Sequence, residues 1–201
     1  MKRILPIFSY LFHPLFIPLY SVLAYFEMTD SYLFPAEIFL IVIQVLIVMV
    51  LIPIAFFFLL RTLGKVDTVM ISDVSQRRTP LFLQALLIVL LMWQSLSPDR
   101  IPPLYFFFLG ALLTTALCLG FAFARIKVSL HMAGIGAMLF FVIGVSIHNQ
   151  YNAVVPLAFL LVITGFVASS RLEMNAHSHR ELILGFGCGL LPQIGLWCFW
   201  L

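Results

Sequence analysis

Apolar runs that approach or exceed the roughly 18 to 20 residues needed to span hydrocarbon recur along this chain, and that recurrence fixes its solvent as lipid. By hydropathy the runs fall near 7–26, 37–60, 80–96, 104–124, 131–147, 153–169 and 182–200 of the 201 residues. Only 9% of the residues are charged against 63% hydrophobic, with a mean hydropathy of +1.14, outside the ordinary range of soluble domains. The expected architecture is therefore all-α: a polytopic transmembrane helical bundle of six or seven spans forming one membrane domain. The first run is the irregular one, because Pro6, Pro14 and Pro18 interrupt it. It is read as a retained segment, re-entrant or tilted, and not as a cleaved signal peptide, since no A-x-A site follows.

The connections alternate in character. Segments 27–36, 97–103 and 148–152 are nearly free of Lys and Arg, whereas 61–79, 125–130 and 170–181 hold most of the basic residues. Of the eleven Lys and Arg, only Arg100 falls on the poor side, and Lys2 and Arg3 join the rich one. The positive-inside rule would place that basic face in the cytoplasm, but basic residues of a site count as loop charge without setting topology, so an outward-facing site stays open. A net charge of +3 spread over short loops gives no surface for nucleic acid. Cys118, Cys188 and Cys198 lie in apolar runs without a CxxC pair and read as buried structural thiols. Ala133 and Ala137, like Gly185 and Gly189, are four apart, a spacing that lets helix backbones approach closely.

Three polar patches return to the basic face. In the most informative, Ser170-Arg171 is followed after five residues by His177 and after three more by Glu181. On a helix His177 and Glu181 would share a face, so the carboxylate can accept from imidazole Nδ1–H and leave Nε2 as nucleophile or base, with Arg171 holding an oxyanion. The plain alternative is a helix start with incidental charges. The second patch, Arg125 to Gly134, offers Ser129 as an N-cap, Lys127 beside it and His131 two residues on. A helix start of this kind suits a phosphate, although interfacial anchoring explains the same residues. The third, Lys65 to Pro80, brings Arg77 and Arg78 to the headgroup region as phosphate partners or as ordinary anchors, with Pro80 early in the next helix. His177-Ser178-His179 is a poor metal site, because i,i+2 turns the two imidazoles to different faces. His13 and His148 stand apart and carry no role beyond interface polarity.

The string Ser170-Arg171-x5-His177-x3-Glu181, followed by an apolar helix with Gly185, resembles the third motif of the type-2 phosphatidic-acid phosphatase superfamily, with Glu181 in place of Asp. Ser129-Leu130-His131 is similar to the second motif, with Val128 and Leu130 in place of its Pro and Gly. The first motif is degenerate around Arg77, Arg78 and Pro80. The likeness covers about 65–185, within a phosphatase-like core of 65–201, and leaves 1–64 as an unassigned N-terminal transmembrane hairpin.

The resemblance implies a hydrolase acting on a lipid phosphate or pyrophosphate without metal or other cofactor. His177 would attack phosphorus and form a phosphohistidine, oriented by Glu181. His131 would protonate the leaving oxygen, while Arg171, Arg77 or Arg78, Lys127, Ser129 and Ser170 would contact the phosphate. The expected partners are that lipid substrate and the surrounding membrane lipids, in a bacterial inner membrane. A catalytically inactive relative that binds anionic headgroups is the alternative. A small transporter fits less well, because its ionisable residues would sit at mid-span, where the strongest polar candidates of this chain are Gln44, Thr114 and Thr115.

Overall fold

The computed structural model describes residues 5–64 and 73–201. Lys2, Arg3, Lys65 and Asp67 lie outside them. Six helical stretches are long and apolar enough to cross a membrane: Pro35–Thr62, Ser75–Ser95, Pro102–Phe123, Leu130–His148, Val154–Glu173 and His179–Phe199. The chain is an integral membrane protein of helices, and no strand occurs among the described residues. The irregular first run is broken in two, α1 (Leu5–Leu11) and α2 (Ile17–Glu27), around His13 and Pro14. Pro14 has no amide proton to continue α1, and Pro18 fits the first turn of α2, where that donor would be unused.

The next span is α3 (Pro35–Leu46) and α4 (Ile52–Thr62), joined without interruption by a π-helical turn at Ile47–Leu51. Pro53 lies just beyond that turn and cannot donate to the carbonyl four residues back, so the widened turn falls where the α-helical ladder has to fail. After a 3-10 turn at Ser75–Arg77 come α5 (Arg78–Ser95), α6 (Pro102–Phe123), α7 (Leu130–His148), α8 (Val154–Glu173) and α9 (His179–Leu196). Ser170 and Arg171, expected in a loop, occupy the last turn of α8.

Helix α7 is the centre of the bundle. Of its most apolar window 67% is buried, against 28 to 39% for the other spans, and α2, α6, α8 and α9 pack around it. Its closest partner is α9, and the small residues make the contact. A Cβ on Gly189 would lie 1.9 Å from the Ala133 carbonyl oxygen and 2.7 Å from the Ala137 nitrogen; one on Gly185 would lie 2.3 Å from the Ser129 carbonyl oxygen. Without a hydrophobic drive between helices in lipid, such close backbone packing is a main source of association. The outward surface carries large apolar side chains such as Phe82, Trp93 and Val155. Cys118 and Cys188 are buried, but Cys198, expected inside, is exposed on the 3-10 turn at Trp197–Phe199, whose neighbour Trp200 turns back into the core.

Pro192 sits inside α9 and leaves the Cys188 carbonyl without its usual amide donor. The Thr114 hydroxyl of α6 lies 3.1 Å from that carbonyl and 2.9 Å from Gly110 of its own helix, so the proline's deficit is met across the helix interface. Next to it Gln193, 1% exposed, donates from Nε2 to the Phe107 carbonyl at 3.1 Å, in space that Gly110 leaves open. Thr114→Val is expected to destabilise by about 0.5–1.5 kcal/mol, the scale of interhelical bonds in membranes. Thr115 bonds only its own-helix Ala111 carbonyl at 2.8 Å. Thr115→Val should therefore cost less, as thermal midpoints in one detergent would show.

Candidate active site

Tight connections between the long helices bring the basic patches to one face. Helices α6, α7 and α8 each end in a residue at positive φ, Arg125 (61°), Gln150 (52°) and Asn175 (50°). At the end of α8 the Ala176 amide donates to the Arg171 carbonyl at 3.1 Å and the Asn175 amide to Leu172 at 3.0 Å, a Schellman closure. That closure reverses the chain within five residues. Ser178 then caps α9, its hydroxyl accepting from the Glu181 amide at 3.4 Å. The five-residue gap between Arg171 and His177 is thus one helix end, a left-handed turn and the approach to a cap.

His177 is not on the helix, as the sequence suggested, but one residue ahead of its cap. The i,i+4 contact forms all the same: His177 Nδ1 lies 2.7 Å from Glu181 Oε2, with the imidazole side chain 2% and the carboxylate side chain 25% exposed. A capping-box glutamate would reach back to the cap amide; here the imidazole takes its place. With the carboxylate accepting from Nδ1–H, the neutral ring keeps its free electron pair on Nε2. Burial pushes the His177 pKa down to about 4 from its ordinary 6.5, the Glu181 hydrogen bond opposes this, and Arg77, Arg171 and Lys127 add to the lowering. The folded chain therefore holds His177 neutral from about pH 4 upward. Since the unfolded chain takes up this proton near pH 6.5, the stability it contributes is complete above that value and is lost as pH falls toward 4.

The start of α7 stands against the start of α9. Ser129 caps α7, accepting at 3.4 Å from the Met132 amide, and its own amide donates to the Glu181 carbonyl at 3.0 Å. Arg77 Nη1 donates at 2.8 Å to the Val128 carbonyl, so the guanidinium, 6% exposed, is held beside that same junction. Arg78 turns the other way: Nε and Nη2 both reach the Ala122 carbonyl at 3.3 Å, and its guanidinium lies 4.9 Å over the Phe123 ring, at the C-terminal end of α6. Arg171 is buried, and its field reaches both His131 and His177. His177, His131, Glu181, Arg171, Ser129, Lys127 and Arg77 thus come together, while Arg78 is set apart.

Ser170 is buried, but its hydroxyl faces Ser9 of α1, with the two oxygens 2.6 Å apart. The N-terminal segment also reaches His131, whose Nε2 donates to the Ser9 carbonyl at 3.0 Å. That leaves Nδ1 of the neutral His131 ring as an acceptor. The His13 ring meets His131 edge to face, centroids 5.1 Å apart, and its Nδ1 accepts from the Leu15 amide at 3.4 Å, which keeps the His13 proton on Nε2. Sequence reasoning left Ser9 unmentioned and gave His13 no role. The only signal was the broken first run itself, since a proline pair beside a histidine marks where the chain turns inside the bundle. On the opposite face Arg100 pairs with Glu37 at 2.8 Å and Asn149 Nδ2 donates to Met28 and Thr29, contacts that tie loops together far from the cluster.

No family model matches the chain, and neither the curated proteins nor the solved structures contain a match.

Proposed function

We propose that this protein is a metal-independent lipid phosphatase or pyrophosphatase of a bacterial inner membrane, akin to the type-2 phosphatidic-acid phosphatases, with its site at the basic face. One observation carries the reading: a buried, neutral imidazole, His177, is oriented by a carboxylate at 2.7 Å in the field of Arg77, Arg171 and Lys127. Such an arrangement supplies a nucleophile and a positive surround for phosphate oxygens in the same place. His177 Nε2 attacks phosphorus, the bond to the lipid oxygen breaks, and that oxygen takes a proton from His131 or from water. Water then attacks the phosphohistidine, the P–N bond breaks, inorganic phosphate leaves, and Nε2 recovers its electron pair.

A second reading, a non-catalytic protein that holds anionic headgroups, is favoured by one contact. His131 Nε2 already donates to Ser9, so it has to leave that carbonyl, or use a protonated Nδ1, to act as the acid. The two readings separate on phosphate release by the purified wild type from a panel of lipid phosphates and pyrophosphates without added metal. Release that is lost in His131→Ala and His177→Ala supports the hydrolase. A folded wild type that binds anionic vesicles and releases nothing supports the binder.

Two further outcomes follow from the geometry. The acid limb of kcat/KM should fall near pH 4 instead of 6.5, because protonation of His177 removes the nucleophile. A pH–rate profile checks this, and Lys127→Ala should move the limb upward. Arg77→Ala should lower kcat by about 10²- to 10³-fold, the scale of losing one oxyanion donor. Arg78→Ala should change it less than about threefold, as expected of a side chain committed to the end of α6.

A further inference from the structure

Beneath the cluster lies a cavity of about 180 Å³ between the α1–α2 turn and α2, α5, α6 and α7. Its upper rim is His13, Arg77 and Leu130; its floor is Ile88, Phe107 and Ala137. Every lining residue is buried or half-buried. From Arg77 to Ile88 along α5, and from Cys118 to Phe107 along α6, the helical rise gives a depth of about 16 Å, roughly half the hydrocarbon thickness.

The interior is apolar by construction. The Thr114 and Thr115 hydroxyls turn to backbone carbonyls, and Gln84 Nε2 is spent on Met49 Sδ at 3.5 Å. Most of what faces the space is methyl, methylene and ring surface, with His13, Arg77 and Gln84 as its polar margin. One wall exists only because the N-terminal segment folds inward: Gly134 has no side chain to hold Ile17 away, and a Cβ there would lie 3.1 Å from Ile17 Cγ1. The space is half-open, and its largely apolar lining favours hydrocarbon over water.

We propose that this cavity takes one hydrocarbon chain of a substrate whose phosphate sits at Arg77 and His177, and that the substrate is therefore a single-chain lipid phosphate or pyrophosphate, not a two-chain phosphatidate. This rests on the phosphate-handling reading of the basic face. The continuity of the cavity with Arg77 carries it: the residue that rims the apolar space also stands at the junction of α7 and α9. The volume leaves no room for two chains side by side, so a two-chain lipid has to keep one or both tails outside the bundle.

The test uses the full chain in lipid nanodiscs with a long-chain alkyl monophosphate bearing a diazirine at the far end, and a phosphatidate labelled in the same position. Irradiation of the wild type should place the alkyl label on Ile88, Ala111 or Ala137. Unlabelled dodecyl phosphate should suppress it at least fivefold, and phosphatidate should not. Ala111→Phe fills the space and should reduce the label by a similar factor; Thr115→Leu, a smaller change, should do so in part. Phosphate release should favour single-chain over two-chain substrates by at least tenfold, and Ala111→Phe should erase the preference while a butyl phosphate is still turned over. Label confined to outward residues such as Phe82 or Leu113, or equal labelling by both lipids, overturns the tail pocket. Release without cavity labelling leaves the hydrolase standing and removes the pocket. Cavity labelling without release supports the pocket and removes the hydrolase.

Discussion

His177→Ala should reduce phosphate release from lipid phosphates by about ten-thousandfold or more, because loss of the nucleophile removes the covalent route entirely. Glu181→Gln should cost about 10²- to 10⁴-fold. The amide can still meet Nδ1, but it no longer fixes the proton there or stabilises the charge that develops on the ring, as when an orienting carboxylate is neutralised elsewhere. The graded pair is more informative than either variant. If Glu181→Gln were as fully active as the wild type, the 2.7 Å contact would be a capping interaction without catalytic meaning. Both proteins should elute from detergent as the wild type does, since neither change creates a void in the α7–α9 contact. Single-turnover release rates on one lipid phosphate measure the ratio.

The second large effect concerns the α7–α9 seam. Gly189→Ala should destabilise by about 2–4 kcal/mol, because the added methyl would meet the Ala133 carbonyl oxygen at 1.9 Å and backbone cannot step aside as a side chain can. Gly187→Ala, two residues away, has nothing within 4 Å and should be neutral or slightly stabilising through helix propensity. The opposite signs on one helix make the comparison sharp in thermal unfolding. The same displacement should reach the site, because the seam that Gly189 closes also sets Ser129 against Glu181. Gly189→Ala that does fold should therefore lose turnover more than binding.

The fold was legible where one residue type decides the outcome. Long apolar runs gave the spans to within a few residues, because a membrane leaves the backbone no other way to satisfy its polar groups. The Ala133, Ala137, Gly185 and Gly189 spacing marked close-packing surfaces, and two of them, at Gly189 and Ala133, meet each other. The Ser170-Arg171 to Glu181 string was read as a loop entering a helix; the structure makes it a helix end, a turn and a cap, and those elements bring Arg171, His177 and Glu181 to one face. Arg77 and Arg78 were indistinguishable as sequence. Adjacent residues on a helix diverge by about 100°, and only packing decides that one meets Val128 and the other Ala122.

The contribution of residues 5–27 was not legible. Ser9 acts on His131 through its backbone carbonyl, which every residue type possesses. His13 approaches His131 across 118 positions of sequence, and only the breaks at Pro14 and Pro18 hinted that this run does not simply cross. Gln193 was missed for a related reason. Its partner is a backbone carbonyl on another helix, and its space comes from the absence of a side chain at Gly110.

The phosphohistidine itself is the species to look for. Wild type mixed with a ³²P-labelled lipid monophosphate and quenched within milliseconds should carry label that survives base and is lost in acid, on the peptide that contains His177, and His177→Ala should carry none. Release of phosphate at full rate with no label on that peptide, or with the label unchanged in His177→Ala, would contradict the assignment of His177 as the nucleophile.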